Sequence, residues 1–213
     1  MIIDPLLVKQ ESEAHLDGIG AEVNPWLPHL DDIEPRSREA VARRALVLNA
    51  LVQIYFEAPF EFLLDWLDNN SLISDLSKSE KNLLHSDRDQ ISKEQIQDAY
   101  WSIETLWAFM WILGRIPELH LQSPVQDTLA GMLPSVKDND RVSDFIRTIS
   151  IRSDVELFKE LDLYYRAHWY TRDANLKGKD TGLLHLPIIM YRRKALEWTC
   201  YRDQQWDFVD LST

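Results

Sequence analysis

Four stretches of this chain place a serine three residues before a glutamate or glutamine: Ser77-Lys78-Ser79-Glu80, Ser92-Lys93-Glu94-Gln95, Ser123-Pro124-Val125-Gln126 and Ser153-Asp154-Val155-Glu156. In such a box the serine hydroxyl accepts from the backbone N–H three residues on, while the acid or amide reaches back to the serine N–H. Each box therefore predicts a helix start, and the third adds proline at the first helical position, where no N–H is needed. Ser37 offers a further cap, Pro59 opens a shorter segment, and Gly114 and Gly178 stand where long periodic runs end. Together with the 3.6-residue periodicity, these signals predict helices at about 6–17, 37–56, 59–68, 78–86, 93–113, 124–132, 138–149, 154–177 and 187–201. Alternating runs are scarce, and no Asn-Gly or Asp-Gly turn joins two β-branched stretches. The expected fold is all-α: a single compact multi-helix domain, 1–213, with a buried Trp-rich central helix. Residues 1–36 are expected to form an N-terminal helix and a proline-rich arm packed on a core of 37–213.

A chain of 213 residues that is 45% hydrophobic can bury one substantial core. Its eight tryptophans gather in the middle and near the end, at Trp101, Trp107, Trp111, Trp169, Trp198 and Trp206 among others. Clustered tryptophan is first a core signal and second a binding platform. The formal charge is −12, from 35 acidic and 23 basic side chains. That argues against nucleic acid and anionic membrane, whose phosphates need Lys and Arg. It suits a partner with a basic surface, solubility being the plain alternative. Cys200 is the single cysteine, so no intramolecular disulfide can form and a reducing compartment is expected. The start, Met1-Ile2-Ile3-Asp4-Pro5, is unlike a secretory leader, and the apolar run Leu106–Ile116 is interrupted by Gly114 and Arg115. A cytoplasmic protein is the expectation.

Charges fall on helical faces that should be buried. Residues 93–113 are apolar nearly all round, yet Glu104 projects between the directions of Trp111 and Ala108. In 154–177, Leu161, Tyr165, Trp169 and Leu176 share an arc that contains Arg172. In the last helix Arg192 projects between Ile188 and Leu196, with Arg193, Lys194 and Glu197 expected to face outward. A buried guanidinium stays charged and requires acceptors. Glu104 is therefore expected to meet Arg166, Arg172 or Arg192. His168 reads as a hydrogen-bonded core histidine. Trp206 is expected to fold back on the core and Asp207 or Asp210 to meet an arginine, Arg166 or Arg192. Two readings follow: an ion network that sets helix register, or a pocket for an anion or a partner's acid. Its candidate lining is Glu104, Trp107, Arg166, His168, Trp169, Arg172, Arg192, Trp206, Asp207 and Asp210.

The segments Val23-Asn24-Pro25 with Leu27-Pro28, Arg36-Ser37-Arg38-Glu39-Ala40-Val41-Ala42-Arg43-Arg44-Ala45-Leu46, Glu104-Thr105-Leu106-Trp107-Ala108 and Leu113-Gly114 occur in this order. They are followed by Tyr165-Arg166-Ala167-His168-Trp169 with Arg172, then Arg192-Arg193-Lys194-Ala195-Leu196-Glu197-Trp198, Trp206-Asp207 and Asp210. In these motifs the chain resembles the bacterial family catalogued as domain of unknown function 4272, over roughly residues 9–213. The resemblance implies a compact helical domain and no assigned chemistry. It also implies a bacterial cytosolic setting, with some members near toxin and secretion loci. Tyr191 stands where members often carry an acid, so a second buried carboxylate is not inherited there.

No His-Glu-x-x-His, no paired Cys-x-x-Cys and no glycine-rich phosphate loop is present, and the six histidines lack metal-ligand spacing. No cofactor and no metal is expected, and binding is expected ahead of catalysis. The function expected is a protein-binding protein of bacterial cytosol, in its specific form an immunity protein that covers a cognate toxin through an acidic surface. The partner would be a basic protein, a toxin or secretion-system component, met by Asp31, Asp32 and Glu34 on the arm. The alternative is a small-anion-binding protein or enzyme built on the Glu/Arg/His cluster.

Overall fold

Three of the four capping boxes close. Ser77, Ser92 and Ser153 each accept from the N–H three residues on, and Glu80, Gln95 and Glu156 reach back to them. The computed structural model describes residues 3–213. It is 59% helical, with no strand among the described residues. The α-helices are α1 (Pro5–Gly18), α2 (Arg38–Val52), α3 (Phe60–Asn69), α4 (Lys78–Leu84), α5 (Lys93–Ile112), α6 (Ser143–Thr148), α7 (Asp154–Leu176) and α8 (Leu186–Cys200). Gly114 (φ +68°) and Gly178 (φ +64°) end α5 and α7 in the left-handed conformation, each followed by a bond back to the helix, Arg115 N–H to Met110 O and Lys179 N–H to Ala174 O, both 2.8 Å.

The fourth box fails for a reason visible in the core. The N–H of Val125 donates to Glu104 Oε1 at 3.0 Å, and Arg192 Nη2 donates to the Ser123 carbonyl at 2.8 Å. A buried ion pair thus captures the backbone that a helix would have used. The expected helix 124–132 shrinks to a 3₁₀ turn, Asp127–Met132. The expected helix 138–149 shortens to α6, because Asn139 is left-handed (φ 55°) and Asn70 Oδ1 takes the Val142 N–H at 3.2 Å. The helix expected to reach residue 56 stops at Val52, with turns carrying the chain to a left-handed Glu57 (φ 63°).

The helices pack as a row: α3 on α2, α2 on α5, α5 on α8, α8 on α7, α7 on α1. The middle pair holds the core. From Glu104 to Ile112 every residue of α5 is buried, but its first two turns are exposed apart from Ala99. The Trp107 helix is expected to be the most buried, and α8 exceeds it: no residue of α8 is exposed. Its third side is covered by the arm. Glu34 and Tyr201 form a parallel bridge, with Glu34 N–H to Cys200 O at 2.9 Å and Arg36 N–H to Thr199 O at 2.8 Å. Nearer α1, Lys9 Nζ donates to the carbonyls of Pro25 (2.7 Å) and Leu27 (2.6 Å), tying the arm to the first helix. No helix among the described residues is long and apolar enough to cross a membrane.

Candidate functional site

The core charges answer one another. Glu104 Oε2 accepts from Arg192 Nε (2.8 Å) and Nη2 (2.6 Å), and the remaining Arg192 N–H groups reach the His120 carbonyl (2.7 Å) and the Tyr164 hydroxyl (3.3 Å). With Val125 N–H on its other oxygen, Glu104 is an ion-paired acceptor at the junction of α5, α8 and the loop after α5. Trp107 is buried beside it on α5. Arg166 is held bidentately by Asp162, both contacts 2.8 Å, and donates to the Pro28 carbonyl at 3.0 Å, pinning the arm.

Three expectations are corrected. Arg172 is exposed, and among the described residues its one hydrogen bond is to the Thr213 hydroxyl, at 3.5 Å. Periodicity gives the angle of a face but not the length of the neighbour, and α7 runs past the core after Ala174, leaving Leu176 80% exposed. Trp169 is half-buried on the same stretch. Arg193 and Glu197 do not face outward: both are buried as an i,i+4 pair at 2.7 Å. Arg193 Nη1 lies 2.9 Å from His168 Nδ1, and the same guanidinium donates to the carbonyls of Leu211 (3.3 Å) and Ser212 (3.2 Å). Burial first, then the charges of Arg193 and Arg172, hold the His168 imidazole down to about 4. It is a neutral acceptor. Asp207 and Asp210 meet no arginine by hydrogen bond: Asp207 accepts from the N–H (3.0 Å) and hydroxyl (2.5 Å) of Ser79 on α4, and Asp210 accepts from Ser212 N–H at 2.9 Å.

The open geometry lies elsewhere. A cavity of about 270 Å³ sits between α2, α4, α5 and α8 and is closed on one side by Trp206 and Asp207. Leu48, Leu51, Ile54, Leu83 and Ala99 make its apolar wall, and Gln95, Ser102 and Thr105 its polar one. Lys194 lines it without an ion pair or hydrogen bond among the described residues; its Nζ lies 4.5 Å from the Trp206 ring centroid. Burial lowers the Lys194 pKa, against the pull of Asp98, Glu80 and Asp207. Arg44, paired with Glu80 at 2.6 Å, lies 4.6 Å over the same indole.

From Tyr191 on the lining of this cavity, a chain of rings runs outward. Phe56 and Tyr55 are 5.2 Å apart, Tyr55 and Tyr100 4.8 Å, Tyr100 and Trp101 5.2 Å, and Trp101 and Tyr191 6.2 Å. Tyr191 belongs to both features, lining the cavity and donating its hydroxyl to Asp98. The outer rings face solvent: Phe56 is 62% exposed, Tyr55 42% and Tyr100 37%. In the sequence these rings are two adjacent aromatic pairs, Tyr55-Phe56 and Tyr100-Trp101, and their exposure appears only in the fold. Of the arm acids, Asp31 and Asp32 are exposed, while Glu34 is paired with Arg202 at 2.7 Å.

The fold and site define a helical domain whose buried arginines each meet a carboxylate and whose exposed surface carries an aromatic strip and acids. Among the described residues no group of His, Cys, Asp and Glu could hold a metal ion. The chain belongs to the family of the domain of unknown function DUF4272, whose model matches residues 8–209. Searches of curated proteins and of solved structures each found no match.

Proposed function

We propose that this chain is a protein-binding domain of the cytosol that docks a basic partner on the aromatic strip running from Tyr191 to Phe56. The observation that carries the reading is the ladder Phe56–Tyr55–Tyr100–Trp101–Tyr191, with its outer three rings exposed. Contiguous exposed aromatics of this kind are the usual anchors of protein interfaces, because they bury much area and lose little rotamer entropy. Charge complementarity selects the partner. Glu57, Glu94 and Asp98 are exposed in the same segments, and the chain carries a net −12. Lysine or arginine of a partner can stack on the rings and meet these acids. Asp31 and Asp32 on the arm add long-range attraction. An immunity protein that covers a toxin is the most specific form of this reading.

A photo-crosslinking residue at Tyr100, with Leu176 as the distant control, tests it in the native cell. The expected result is one partner trapped from Tyr100 and not from Leu176. With that partner purified, Tyr55→Ala with Tyr100→Ala should weaken affinity at least about tenfold, some 1.4 kcal/mol. Equal trapping from both positions, or unchanged affinity, would remove the strip as the docking face.

A further inference from the structure

A second cleft, of about 580 Å³, shares no lining residue with the first. It lies between the loop 117–123, the end of α1 and the start of α7. Two arginines set its character. Arg152 donates to the carbonyls of Trp111 (3.2 Å), Ile116 (2.8 Å) and Pro117 (2.9 Å) and to Glu156 (2.9 Å). Arg192 reaches the carbonyls of His120 and Ser123 besides Glu104. The wall is thus built of acceptors that already hold guanidinium groups, and both cations are committed.

Glu160 has no such answer. It stands one turn beyond Glu156, partly buried and lining the cleft, with no ion pair or hydrogen bond among the described residues. Burial pushes its carboxyl up to about 7, against the pull of Arg152 and Arg192. The other titratable groups around it are engaged or of the wrong sign. Glu118 and His120 pair with each other at 3.1 Å, Glu156 closes the α7 capping box, Glu104 belongs to Arg192, and Tyr164 hydroxyl donates to the Leu119 carbonyl at 3.3 Å. His15 on α1 is exposed at the rim. A carboxylate withdrawn from water and left unpaired is unfavourable, and a cation is what it lacks.

We propose that this cleft binds a small aliphatic amine or guanidine, with the Glu160 carboxylate as its counter-ion and Ile19, Leu121 and Leu163 against its carbon chain. An anion is excluded by Glu160 itself and by the rim acid Glu118. The site is independent of the partner face above and stands or falls separately from it.

Putrescine, spermidine and agmatine, titrated calorimetrically into the full chain in buffers of different ionisation enthalpy, test the proposal. Binding should release a proton near neutrality, because the ligand fixes the ionised carboxylate. Affinity should rise about tenfold between about pH 6 and about pH 8, following the ionised fraction of Glu160. Glu160→Gln should weaken binding at least about tenfold and abolish the proton release. Leu163→Trp, which fills the cleft and leaves its charges alone, should also prevent binding and covers the case in which Glu160→Gln does not fold. The proposal is overturned if none of the three probes binds, if binding is unchanged in both variants, or if the Glu160 carboxyl carbon titrates in the ordinary carboxylate range.

Discussion

At the scale of single residues, the molecule is distinguished by arginines that are buried and answered. Arg192, Arg193, Arg166 and Arg44 each meet a carboxylate that is itself buried. Removing one partner of such a pair strands the other, typically at a cost of about 3–5 kcal/mol. Glu104→Gln is therefore expected to lower the melting temperature strongly, and so is Glu197→Gln. Glu118→Gln, whose side chain is 69% exposed, should shift it little, and thermal denaturation of the three variants checks this. His168 gives a pH prediction. Its folded pKa of about 4 lies below the ordinary 6.5, so the unfolded chain binds the proton first. The stability it contributes is present above about pH 6.5 and is lost as the pH falls toward 4. In an NMR titration the His168 ring should not respond above about pH 5, and removing Arg193 should raise the midpoint without restoring the ordinary one, because burial and Arg172 still hold it down. Glu104 and Arg192 were legible in the sequence because each interrupts an apolar arc. Glu160 carries the same signal, sharing its helical direction with Tyr164 and Ala167, and Arg193 does not, since α8 is enclosed on every side.

At the scale of elements, local signals placed the long helices and failed where tertiary partners competed for the backbone. The boxes at Ser77, Ser92 and Ser153 closed because nothing else claimed their N–H groups. The start at Ser123 lost the Ser123 carbonyl, which would have accepted the first intrahelical bond, to Arg192, a partner 69 residues away that no local pattern announces. The cavity depends on a similar remote contact. Asp207 accepts from Ser79 N–H and Oγ across 128 residues, capping α4 from outside. A cap of this kind contributes about 1 kcal/mol. Asp207→Ala should cost about that amount in denaturant unfolding, and Asp207→Ala combined with Ser79→Ala should cost less than the sum of the two single changes. Strict additivity would mean that the contact is not energetically coupled. The aromatic strip and the cavity were not legible as a site, because their residues come from α2 and the turns after it, α4, α5, α8 and the tail, and only packing brings them together.

At the scale of the whole molecule, charge and order of assembly matter most. With a net charge of −12, association with a basic partner should slow as salt rises, since the Debye length shrinks to about 8 Å at physiological ionic strength. Reversing Asp31 and Asp32 to lysine should reduce the association rate measured by stopped flow and leave the melting temperature nearly unchanged; an unaltered rate would remove the arm from the encounter. The row α3, α2, α5, α8, α7, α1 has a further consequence. The helix that fills its middle is the last of the row to be synthesised, and its ion pair with Glu104 spans 88 residues. Until α8 has been synthesised, the helix that packs on both α5 and α7 is missing, and Glu104 and Tyr164 lack the Arg192 that joins them. Non-local closure of this type is slow and leaves apolar surface uncovered while it waits. The step that seals the growing chain is thus the arrival of a helix carrying two arginines.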